Sequence, residues 1–547
     1  MHAKPSRRQL RAAERPPRDG VTRGKLIPRR RWPRRLLVAA NIFVAVTLIA
    51  VGGAYAYVRY RIDSIHTVAA PDLTAQGNQA GTNKPAAGTT GGAPENILLI
   101  GNQSRAGLTT PAEIQQFGNP QLLSGSLSDV IMILHLDPKT KQASILSIPR
   151  DLFSHMPAGS PVLSWEKIDA ALNDGVNGPD NLVKAIQQDF GIPINHFVEI
   201  NFGGFENTVN ALGGLRMYFP EKLYDLESQL NITTTGCLQI NGAQALALVR
   251  SRHLQYDPPG DNGPVSTWPY DPESDLARIV RDHEFVRVLL STAISKGLTN
   301  PITLNSFIGA VINQVTMDPG LKNQLISLAE TYGHLNPNSI PETTLPVTTY
   351  NGYYYRGASM GDIDFPVQPN DYQTIAKWDP SALPTPVAPT TVNVLNIVGS
   401  YNLASTTAAA LQADGFKVGT IANGTIPAKP SETVVDYPTG GLAQAVSVLY
   451  KLSGAVTLEP DPSLPTGTVT VEAGTNFAVV GASTTNPATS ATSAAPASAT
   501  TSSTAVSPST TMPPTVGNQA PSSSSDNLTP YDPRPCPSGA PVKTLGG

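Results

Sequence analysis

One segment near the start of the chain constrains its architecture more than any other. Residues 36–58 read LLVAANIFVAVTLIAVGGAYAYV and hold no formal charge over 23 positions. About 20 apolar residues cross a bilayer as a helix, and Arg34, Arg35 and Arg59 flank this stretch. The pattern predicts a single transmembrane helix, which divides the chain into a short head and a long remainder.

The charge distribution predicts how this helix is oriented. Residues 1–35 hold 13 of the 38 Lys and Arg but two of the 41 Asp and Glu, so the remainder has a net charge of −14. Because basic flanks stay in the cytoplasm, we predict a single-pass cell-membrane protein whose bulk is extracellular. Cleavage after Ala56 would make the segment a secretory signal, but the long head favours a retained anchor. The head also lacks a helix-turn-helix pattern, which argues against a nucleic-acid partner.

A chain of 547 residues is too long for one ordinary domain, and shifts in composition predict its boundaries. Stretches rich in Ala, Gly, Thr, Ser and Pro read as linkers or disordered segments. The predicted order is a disordered basic tail (1–35), the transmembrane helix (36–58), a flexible stalk (59–94), a first folded domain (95–380, core 95–296), a linker (381–391), a second domain (392–481) and a disordered tail (482–547).

Both folded domains read as α/β. In the first, strand-like runs such as Asp129–Leu136 and Lys141–Ile148 alternate with amphipathic helices such as Asp180–Gly191. The second, smaller domain alternates in the same way. We therefore predict a three-layer first domain, with a central mixed sheet flanked by helices, followed by a smaller α/β domain.

The two cysteines, Cys237 and Cys536, both fall in the part predicted to be exported. A disulfide suits that compartment, but 299 positions separate the two residues and Cys536 lies in the predicted disordered tail. The sequence leaves the pairing open. The Cys and His spacings of a zinc site do not occur.

Arginines concentrate where elements of the first domain are predicted to end. Arg150 and Asp151 follow a strand, and Arg250 and Arg252 end an apolar run. If that run were extended, the spacing of two positions would direct both arginines to one side. Each of these arginines thus lies at the boundary of a predicted element.

The helix predicted over 275–296 is apolar nearly all round, which is typical of a buried helix. It nevertheless carries Arg278 and Arg281, three positions apart on one face. Asp275 and Asp282 share that face, so structural ion pairs are one explanation. The other is a clamp for a polyanion such as a pyrophosphate, which forked guanidinium groups bind bidentately.

Several motifs in a fixed order resemble one family. Residues 95–296 resemble the LytR-CpsA-Psr proteins of bacterial envelopes, and residues 392–481 resemble the C-terminal domain often attached to them. The stretches that carry the resemblance are NILLIG, SDVIMILHLDPKTKQASILSIPRDLF, KIDAALNDG, FGIPINHFVEINFGGFENTVNALGG, GCLQINGAQALALVRSRH, DLARIVRD and, in the second domain, VNVLNIVGSYNLASTTAAALQADGFKV.

The resemblance implies a membrane-anchored exocytoplasmic phosphotransferase that attaches a glycopolymer from a polyprenyl-pyrophosphate carrier to peptidoglycan. A peptidoglycan hydroxyl would attack the phosphorus next to the sugar, and polyprenyl phosphate would leave. Mg²⁺ is the implied cofactor, and apolar helix faces would enclose the polyprenyl tail. An alternative from a different class is a non-catalytic polyprenyl-lipid-binding or scaffold protein of cell-wall assembly.

The motifs also imply roles for individual residues. Asp129 is assigned to Mg²⁺, and Asp151 either activates the acceptor or orients its neighbour. The residues assigned to the pyrophosphate, as catalytic and substrate-binding groups, are Arg150, Arg250, Arg252, Arg278 and Arg281, with Arg105 as a further substrate-binding residue.

Two positions depart from the family pattern. Gln103 stands where the family usually has an aspartate on Mg²⁺, and Leu127 stands where it commonly has an arginine. An amide oxygen carries no charge and holds Mg²⁺ more weakly than a carboxylate. Three outcomes fit Gln103: weak metal use, an acid recruited from elsewhere, or lost transfer with retained lipid binding. Because the arginines supply the larger electrostatic effect, we predict that transfer survives.

Overall fold

The computed structural model describes residues 55–76, 93–104, 126–261, 263–272, 275–297, 314–424, 431–480 and 528–544, with a few isolated positions. Arg105, the basic head and most of the predicted transmembrane segment lie outside these residues. Among the described residues, no helix has the length and apolar character that crossing a membrane requires. Residues 61–547 form a compact unit distinct from residues 1–60, and the description below concerns the former.

The strands are short and numerous. In chain order they are β1 (His66–Thr67), β2 (Glu95–Asn102), β3 (Ser128–Asp137), β4 (Gln142–Ser147), β5 (Phe153–His155), β6 (Trp165–Lys167), β7 (His196–Asn201), β8 (Leu215–Phe219), β9 (Leu223–Asp225), β10 (Leu230–Ile232), β11 (Gly236–Ile240), β12 (Gln255–Tyr256), β13 (Val315–Met317), β14 (Glu342–Thr344), β15 (Val347–Tyr355), β16 (Ala358–Gln368), β17 (Thr391–Asn396), β18 (Val418–Asn423), β19 (Thr433–Tyr437), β20 (Leu452–Pro460), β21 (Thr468–Ala473), β22 (Phe477–Val479), β23 (Arg534–Pro535) and β24 (Lys543–Thr544).

Helices connect these strands and cover the sheets. The α-helices are α1 (Pro71–Gln76), α2 (Gly178–Phe190), α3 (Phe202–Ala211), α4 (Gly242–Val249), α5 (Asp275–Thr292), α6 (Pro319–Tyr332), α7 (Asn370–Trp378), α8 (Leu403–Ala413) and α9 (Leu442–Leu449). Short 3₁₀ helices lie at Ile168–Leu172, Gly175–Asn177, Val265–Thr267 and Pro337–Ser339, and a π-helical turn, Ala293–Gly297, continues α5.

A seven-stranded sheet forms the centre of the first domain, in the order β1-β13-β7-β2-β3-β4-β14. Strands β2, β3 and β4 are antiparallel neighbours, whereas β2 and β7 run parallel. The mixed sheet predicted from the sequence is confirmed, and so are the two strands predicted at 129–136 and 141–148.

Apolar cores lie on both faces of this sheet because its strands alternate buried side chains. On β2, Leu98 and Ile100 pack in one core with α2, while Ile97 packs in the other with Leu321 of α6. Helix α2 ends at Gly191, whose φ of +70° is the left-handed conformation that glycine adopts readily. The predicted helix at 180–191 is therefore confirmed together with its stop signal.

The smaller domain follows the predicted alternation of strands and helices and shares a sheet with the first domain. Strand β16 pairs with β20 through Val367–Ala455 and Gln368–Gly454, so the β15–β16 hairpin extends the sheet β20-β19-β21-β17-β18. In addition, the Tyr437 hydroxyl donates to the Gln188 carbonyl at 3.1 Å. The C-terminal domain is thus packed directly against the first domain.

The structure differs from the predicted stalk at 59–94. Strand β1 pairs with β13, and two apolar side chains, Ala70 just before α1 and Leu73 within it, are buried in the core of the first domain. The average composition of the segment concealed this apolar stretch, which is short enough to be outweighed by the Ala, Gly and Thr that follow.

The predicted disorder of the tail is wrong for residues 528–544, which we call the C-terminal segment. Strand β23 pairs with β8, β24 pairs with β11, and Cys536 forms a disulfide with Cys237 across a Cα–Cα distance of 5.6 Å. The segment differs from the Ser- and Ala-rich stretch before it because it carries Tyr531, Asp532 and Cys536. These side chains provide the stacking, ion pair and covalent link that the preceding composition lacks.

Candidate functional site

Charged side chains from distant parts of the sequence meet at one end of the central sheet. Because β3 and β4 are antiparallel, Asp129 at the start of β3 lies beside Arg150, which follows β4. Arg252 arrives from the loop after α4, and Arg278 from the first turns of α5. We call the group the mouth cluster; its members are Asp129, Arg150, Asp151, Lys167, Arg252, Asp275 and Arg278.

Two aspartates link the cations of the mouth cluster. Asp151 accepts from Lys167 Nζ through Oδ1 at 2.6 Å and from Arg252 Nη2 through Oδ2 at 2.9 Å. Asp275 Oδ1 lies 2.9 Å from Arg252 Nε and 3.2 Å from Arg278 Nη2. Each aspartate therefore fixes one guanidinium relative to another cation.

Two guanidinium nitrogens in the cluster face carboxylates without bonding to them. Arg150 Nε lies 3.6 Å from Asp151, and Arg278 Nε lies 3.8 Å from Asp282. Both distances exceed a hydrogen bond, and both nitrogens are buried. These two N–H groups are therefore paired with carboxylates by charge, without a hydrogen bond.

The cluster also controls which carboxyl groups are ionised. Burial works to raise the pKa of Asp151, but Arg150, Arg252 and Lys167 outweigh it and lower that pKa. Asp169 and Asp364, close to the cluster, behave in the opposite way. Burial raises the pKa of Asp169 to about 7 and that of Asp364 to about 7. The carboxylate of Asp151 therefore stays ionised at neutral pH, while its neighbours are close to titration.

An apolar cavity of about 450 Å³ adjoins the mouth cluster. It lies between the central sheet and helices α3, α4 and α5, and Asp129, Arg250 and Asp282 line its polar part. The remaining lining residues are Leu99, Ile100, Gly101, Asn102, Val130, Met132, Val198, Ile200, Asn201, Phe202, Phe205, Thr208, Leu246, Val249, Phe285, Val286, Leu289, Leu290 and Val315.

The Arg250–Arg252 stretch is not extended. Helix α4 continues to Val249, and Arg250 is its C-terminal capping residue with helical backbone angles. The Arg250 guanidinium lies over the Phe202 ring, 4.5 Å from its centroid, and lines the cavity. Arg252 instead reaches Asp151 and Asp275. The two arginines consequently contact different parts of the site.

Arg281 is not brought into the mouth cluster. Its Nη1 donates to Asp271 at 2.6 Å and to Asp532 of the C-terminal segment at 3.3 Å. Its Nη2 donates to the Ser251 carbonyl at 3.0 Å, and its side chain has no exposed surface. We call Asp271, Arg281 and Asp532 the buried triad. A direct role of Arg281 in binding pyrophosphate stays a prediction from the motif.

Of the two predicted metal ligands, Asp129 lines the cavity and pairs with Arg150. Gln103 follows Asn102, which lines the cavity, and its backbone N–H donates to the Leu127 carbonyl at 3.0 Å. Asn102 donates to Glu199, which places a second carboxylate beside this loop. Within the described residues, no three His, Cys, Asp or Glu form a metal-binding group. Since Mg²⁺ is often held by one carboxylate and substrate phosphates, Asp129 fits such an ion.

Lys167 is a member of the cluster that the sequence reasoning did not assign. It ends β6, immediately before the 3₁₀ helix at Ile168–Leu172. Its position at the start of KIDAALNDG, one of the motifs of the resemblance, was the signal that could have identified it. Spacing alone could not, because 16 positions and a hairpin separate it from Asp151.

Cations beside an apolar cavity have the chemistry to bind an amphiphile with an anionic headgroup. The chain belongs to the LytR-CpsA-Psr family, which it matches over residues 61–364. Residues 389–477 match a second family, described as LytR cell envelope-related transcriptional attenuator.

Individual relatives come from several bacteria. The chain is 31% identical over 345 residues to a probable cell wall biosynthesis protein, LcpB, of Corynebacterium glutamicum, covering 63% of this chain and 72% of LcpB. It is 25% identical over 352 residues to TagU of Oceanobacillus iheyensis, a polyisoprenyl-teichoic acid–peptidoglycan teichoic acid transferase, covering 61% and 92%. The crystal structure of TagV from B. subtilis aligns with a TM-score of 0.40 and 21% identity, covering 54% of this chain and 99% of TagV.

Proposed function

We propose that this chain is a membrane-anchored exocytoplasmic phosphotransferase that attaches a glycopolymer from a polyprenyl-pyrophosphate carrier to peptidoglycan. The observation that carries the proposal is the junction of an apolar cavity of about 450 Å³ with the mouth cluster. A polyprenyl pyrophosphate has the same two parts, an apolar chain and a multivalent anion. Membership of the family and the transferase name of TagU support the same activity.

The cavity suits the prenyl chain. Its walls carry Met132, Phe205, Phe285 and Leu289, and the polar lining residues Asp129 and Arg250 mark where the chain would meet its headgroup. Burying apolar surface contributes about 25 cal/mol per Å², so a branched hydrocarbon filling this space gains affinity without any polar contact. Recognition of the polymer itself would have to come from outside the cavity.

The mouth cluster suits the pyrophosphate. Arg150, Arg252 and Arg278 present guanidinium groups from three separate elements. In the proposed reaction the acceptor oxygen forms a bond to the phosphorus next to the sugar. The bond from that phosphorus to the bridging oxygen breaks, and polyprenyl phosphate leaves with that oxygen and takes up the proton that the acceptor hydroxyl gives up. Neutralising the charge on the phosphoryl oxygens is the main contribution an enzyme makes to such a step.

Asp151 acts in this proposal by orienting cations. Three neighbours, Arg150, Arg252 and Lys167, lower its pKa, and a carboxylate stabilised in this way is a weak base. Its two oxygens already accept from Lys167 and Arg252. Of the two roles implied by the family motif, the contacts support orientation of neighbours over activation of the acceptor.

Asp129 would hold Mg²⁺ in this proposal, with the amide oxygen of Gln103 as a weaker ligand. When bound there, the ion would supply positive charge to the pyrophosphate oxygens. Arg105, which lies outside the described residues, is proposed to bind the same headgroup on the strength of the motif alone. Because Gln103 replaces the usual aspartate, the arginines contribute more than the metal to neutralising the charge of the pyrophosphate in this proposal.

The proposed extracellular location rests on the apolar segment 36–58 and its basic flanks. The disulfide between Cys237 and Cys536 supports it independently, since disulfides persist in oxidising compartments outside the cytoplasm.

Gln103 favours one competing function, binding of the lipid carrier without transfer. The full-length protein in detergent distinguishes the two when it is incubated with a geranyl-pyrophosphate-linked sugar, a peptidoglycan fragment and Mg²⁺. Transfer predicts release of geranyl phosphate that depends on Arg252, tested with Arg252→Ala. Arg287→Ala is the control, because Arg287 is not a member of the mouth cluster: it lies on α5 and pairs with Glu284 and Glu342. Binding without release of geranyl phosphate would contradict the transferase proposal and support a carrier-binding protein.

A further inference from the structure

We propose that the C-terminal segment holds the loop Arg250–His253, which we call the arginine loop, in place at the transferase site. In this proposal Asp532 is a positioning residue that acts through Arg281. The inference rests on the proposed function in one respect, namely that Arg250 and Arg252 bind the pyrophosphate headgroup. It goes further by giving a role to residues that follow the C-terminal domain in the chain.

The C-terminal segment is attached to the first domain by several different contacts. Strand β23 adds to β8 and β24 to β11, on the two edges of one small sheet. The Tyr531 ring stacks on Tyr256 with centroids 3.8 Å apart, and Cys536 is bonded to Cys237. Tyr531 and Asp532 are both buried. The segment is therefore an integral part of the first domain, although the whole C-terminal domain precedes it in the sequence.

Asp532 completes the surroundings of a buried cation. Arg281 has no exposed side-chain surface and lies between Asp271 and Asp532, with Asp532 Oδ1 at 3.3 Å from Nη1. The other carboxylate oxygen of Asp532 accepts from the Thr529 backbone N–H at 2.9 Å, which fixes the carboxylate within its own turn. Hence the position of the C-terminal segment determines where the Arg281 guanidinium can lie.

Arg281 in turn holds the peptide between the two loop arginines. Its Nη2 donates to the carbonyl of Ser251, the residue between Arg250 and Arg252. The Ser251 hydroxyl donates to Asp225 at 2.7 Å, and the same carboxylate oxygen accepts from the His253 backbone N–H at 3.0 Å. The loop is thus fixed from two sides, by Asp225 and by Arg281. The contact of Arg281 with the loop depends on the alignment that Asp532 imposes.

A purely structural role for the buried triad makes a different prediction. If Asp532 only stabilised the fold, its removal would lower the melting temperature while the folded molecules bound ligand normally. If Asp532 positions the loop, its removal weakens binding in molecules that remain folded. It also loosens the backbone at Arg250–His253 before the rest of the domain.

The experiment uses the full-length protein in detergent with Asp532→Asn and Asp532→Ala. Lys543→Ala is the matched control, because Lys543 lies in the same segment and, among the described side-chain hydrogen bonds, its side chain donates only to the Thr235 carbonyl, at 3.4 Å. Titration calorimetry with geranyl pyrophosphate gives Kd at a temperature where every variant is folded. Hydrogen exchange measured by mass spectrometry reports the amides of residues 250–254.

We expect Asp532→Asn to raise Kd about fivefold and Asp532→Ala to raise it further, with faster exchange at residues 250–254. Lys543→Ala should change neither quantity. Wild-type exchange at 250–254 in both Asp532 variants would overturn the proposal, as would an unchanged Kd accompanied by a lower melting temperature. If the wild-type protein failed to bind geranyl pyrophosphate, or bound it but released no geranyl phosphate from the geranyl-pyrophosphate-linked sugar, the proposed function would fail instead. The exchange measurement would still decide the role of Asp532.

Discussion

Helix α5 carries two arginines one turn apart whose surroundings are opposite in kind. Arg278 belongs to the mouth cluster, beside an apolar cavity, and its Nε is 3.8 Å from the Asp282 carboxylate it faces. Arg281 belongs to the buried triad, where two carboxylates and a carbonyl receive its N–H groups. The spacing of three positions would place both on one face, yet they contact different groups, and the Nε of each is buried without a hydrogen-bond partner among the described residues.

The difference shows what separates a binding arginine from a structural one. Both side chains are almost completely buried, so burial does not distinguish them. What differs is where their partners lie. Asp129 and Asp282, which lie beside Arg278, line the cavity, whereas the partners of Arg281, which are Asp271, Asp532 and the Ser251 carbonyl, do not.

Arg281→Ala is expected to have the largest effect and to break the buried triad. It leaves Asp271 and Asp532 buried without a cation, which typically costs about 3–5 kcal/mol. Chemical denaturation followed by tryptophan fluorescence measures this loss. Arg252→Ala serves as the control, since a partly exposed arginine can be removed with a much smaller change in the free energy of unfolding. If the Arg281→Ala protein were as stable as the wild type and had lost only ligand binding, Arg281 would have the pyrophosphate-binding role that its motif predicts.

Arg252→Ala is expected to have the next largest effect, on turnover. Removing one preorganised donor from a transition state commonly lowers the rate by about 10²-fold or more, and Arg252 bridges Asp151 and Asp275. The rate of geranyl phosphate release measures this effect. Arg287→Ala should leave the rate nearly unchanged while lowering stability, because Glu284 and Glu342 lose their partner. Equal loss of activity in both variants would mean that each substitution lowers activity by destabilising the folded protein.

Asp282→Asn tests how the free energy of unfolding depends on pH at the carboxyl group that lies near both arginines of α5. Burial raises the pKa of Asp282 to about 8, against the opposing effects of Arg278 and Arg281. The folded protein therefore binds a proton that the unfolded chain releases near pH 4. The stability this provides is present at low pH and is lost as pH rises towards 8.

Replacing Asp282 with an amide should remove the part of this loss that comes from Asp282, which is about 1.4 kcal/mol for each pH unit over which the folded chain holds one proton more than the unfolded chain. Denaturation curves at the two pH values provide the measurement. A slope identical to that of the wild type would show that Asp282 stays ionised throughout.

Gln103→Asp is expected to have the smallest effect and concerns the metal. A carboxylate offers Mg²⁺ a charged ligand in place of an amide, so the Mg²⁺ concentration at half-maximal activity should fall by about threefold. Gln103→Ala is the control that removes the amide without adding charge. An unchanged Mg²⁺ requirement in both variants would indicate that this loop does not face the ion.

The sequence was most informative about elements with regular spacing and least informative about which charges meet. The strands around Ile131 and Ile145 and the helix ending at Gly191 could be predicted from alternation, amphipathic spacing and a glycine stop. Membership of the family followed from ordered motifs. Placing Arg150, Arg252 and Arg278 together also succeeded, because each motif lies at the end of an element.

The remaining features depend on contacts between residues far apart in the chain. Arg281 belongs to the same motif as Arg278, DLARIVRD. Its partner Asp532 lies 251 positions away in the sequence. Lys167 reaches Asp151 across the β5–β6 hairpin. Local composition described residues 528–544 as part of a Ser- and Ala-rich tail, although their pairing partners are strands near residues 217 and 238. Such pairings are properties of the tertiary structure, which neither spacing nor composition encodes.

The late position of Asp532 has a consequence for the order in which the protein matures. If the exported part of the chain crosses the membrane in sequence order, Arg281 emerges together with Asp271, which lies ten positions before it. The second carboxylate, that of Asp532, follows 251 positions later. The C-terminal domain must therefore pass through the membrane before the arginine loop acquires its final support. A chain whose translation stopped within that domain would hold every arginine of the mouth cluster and still lack the contact that completes its assembly.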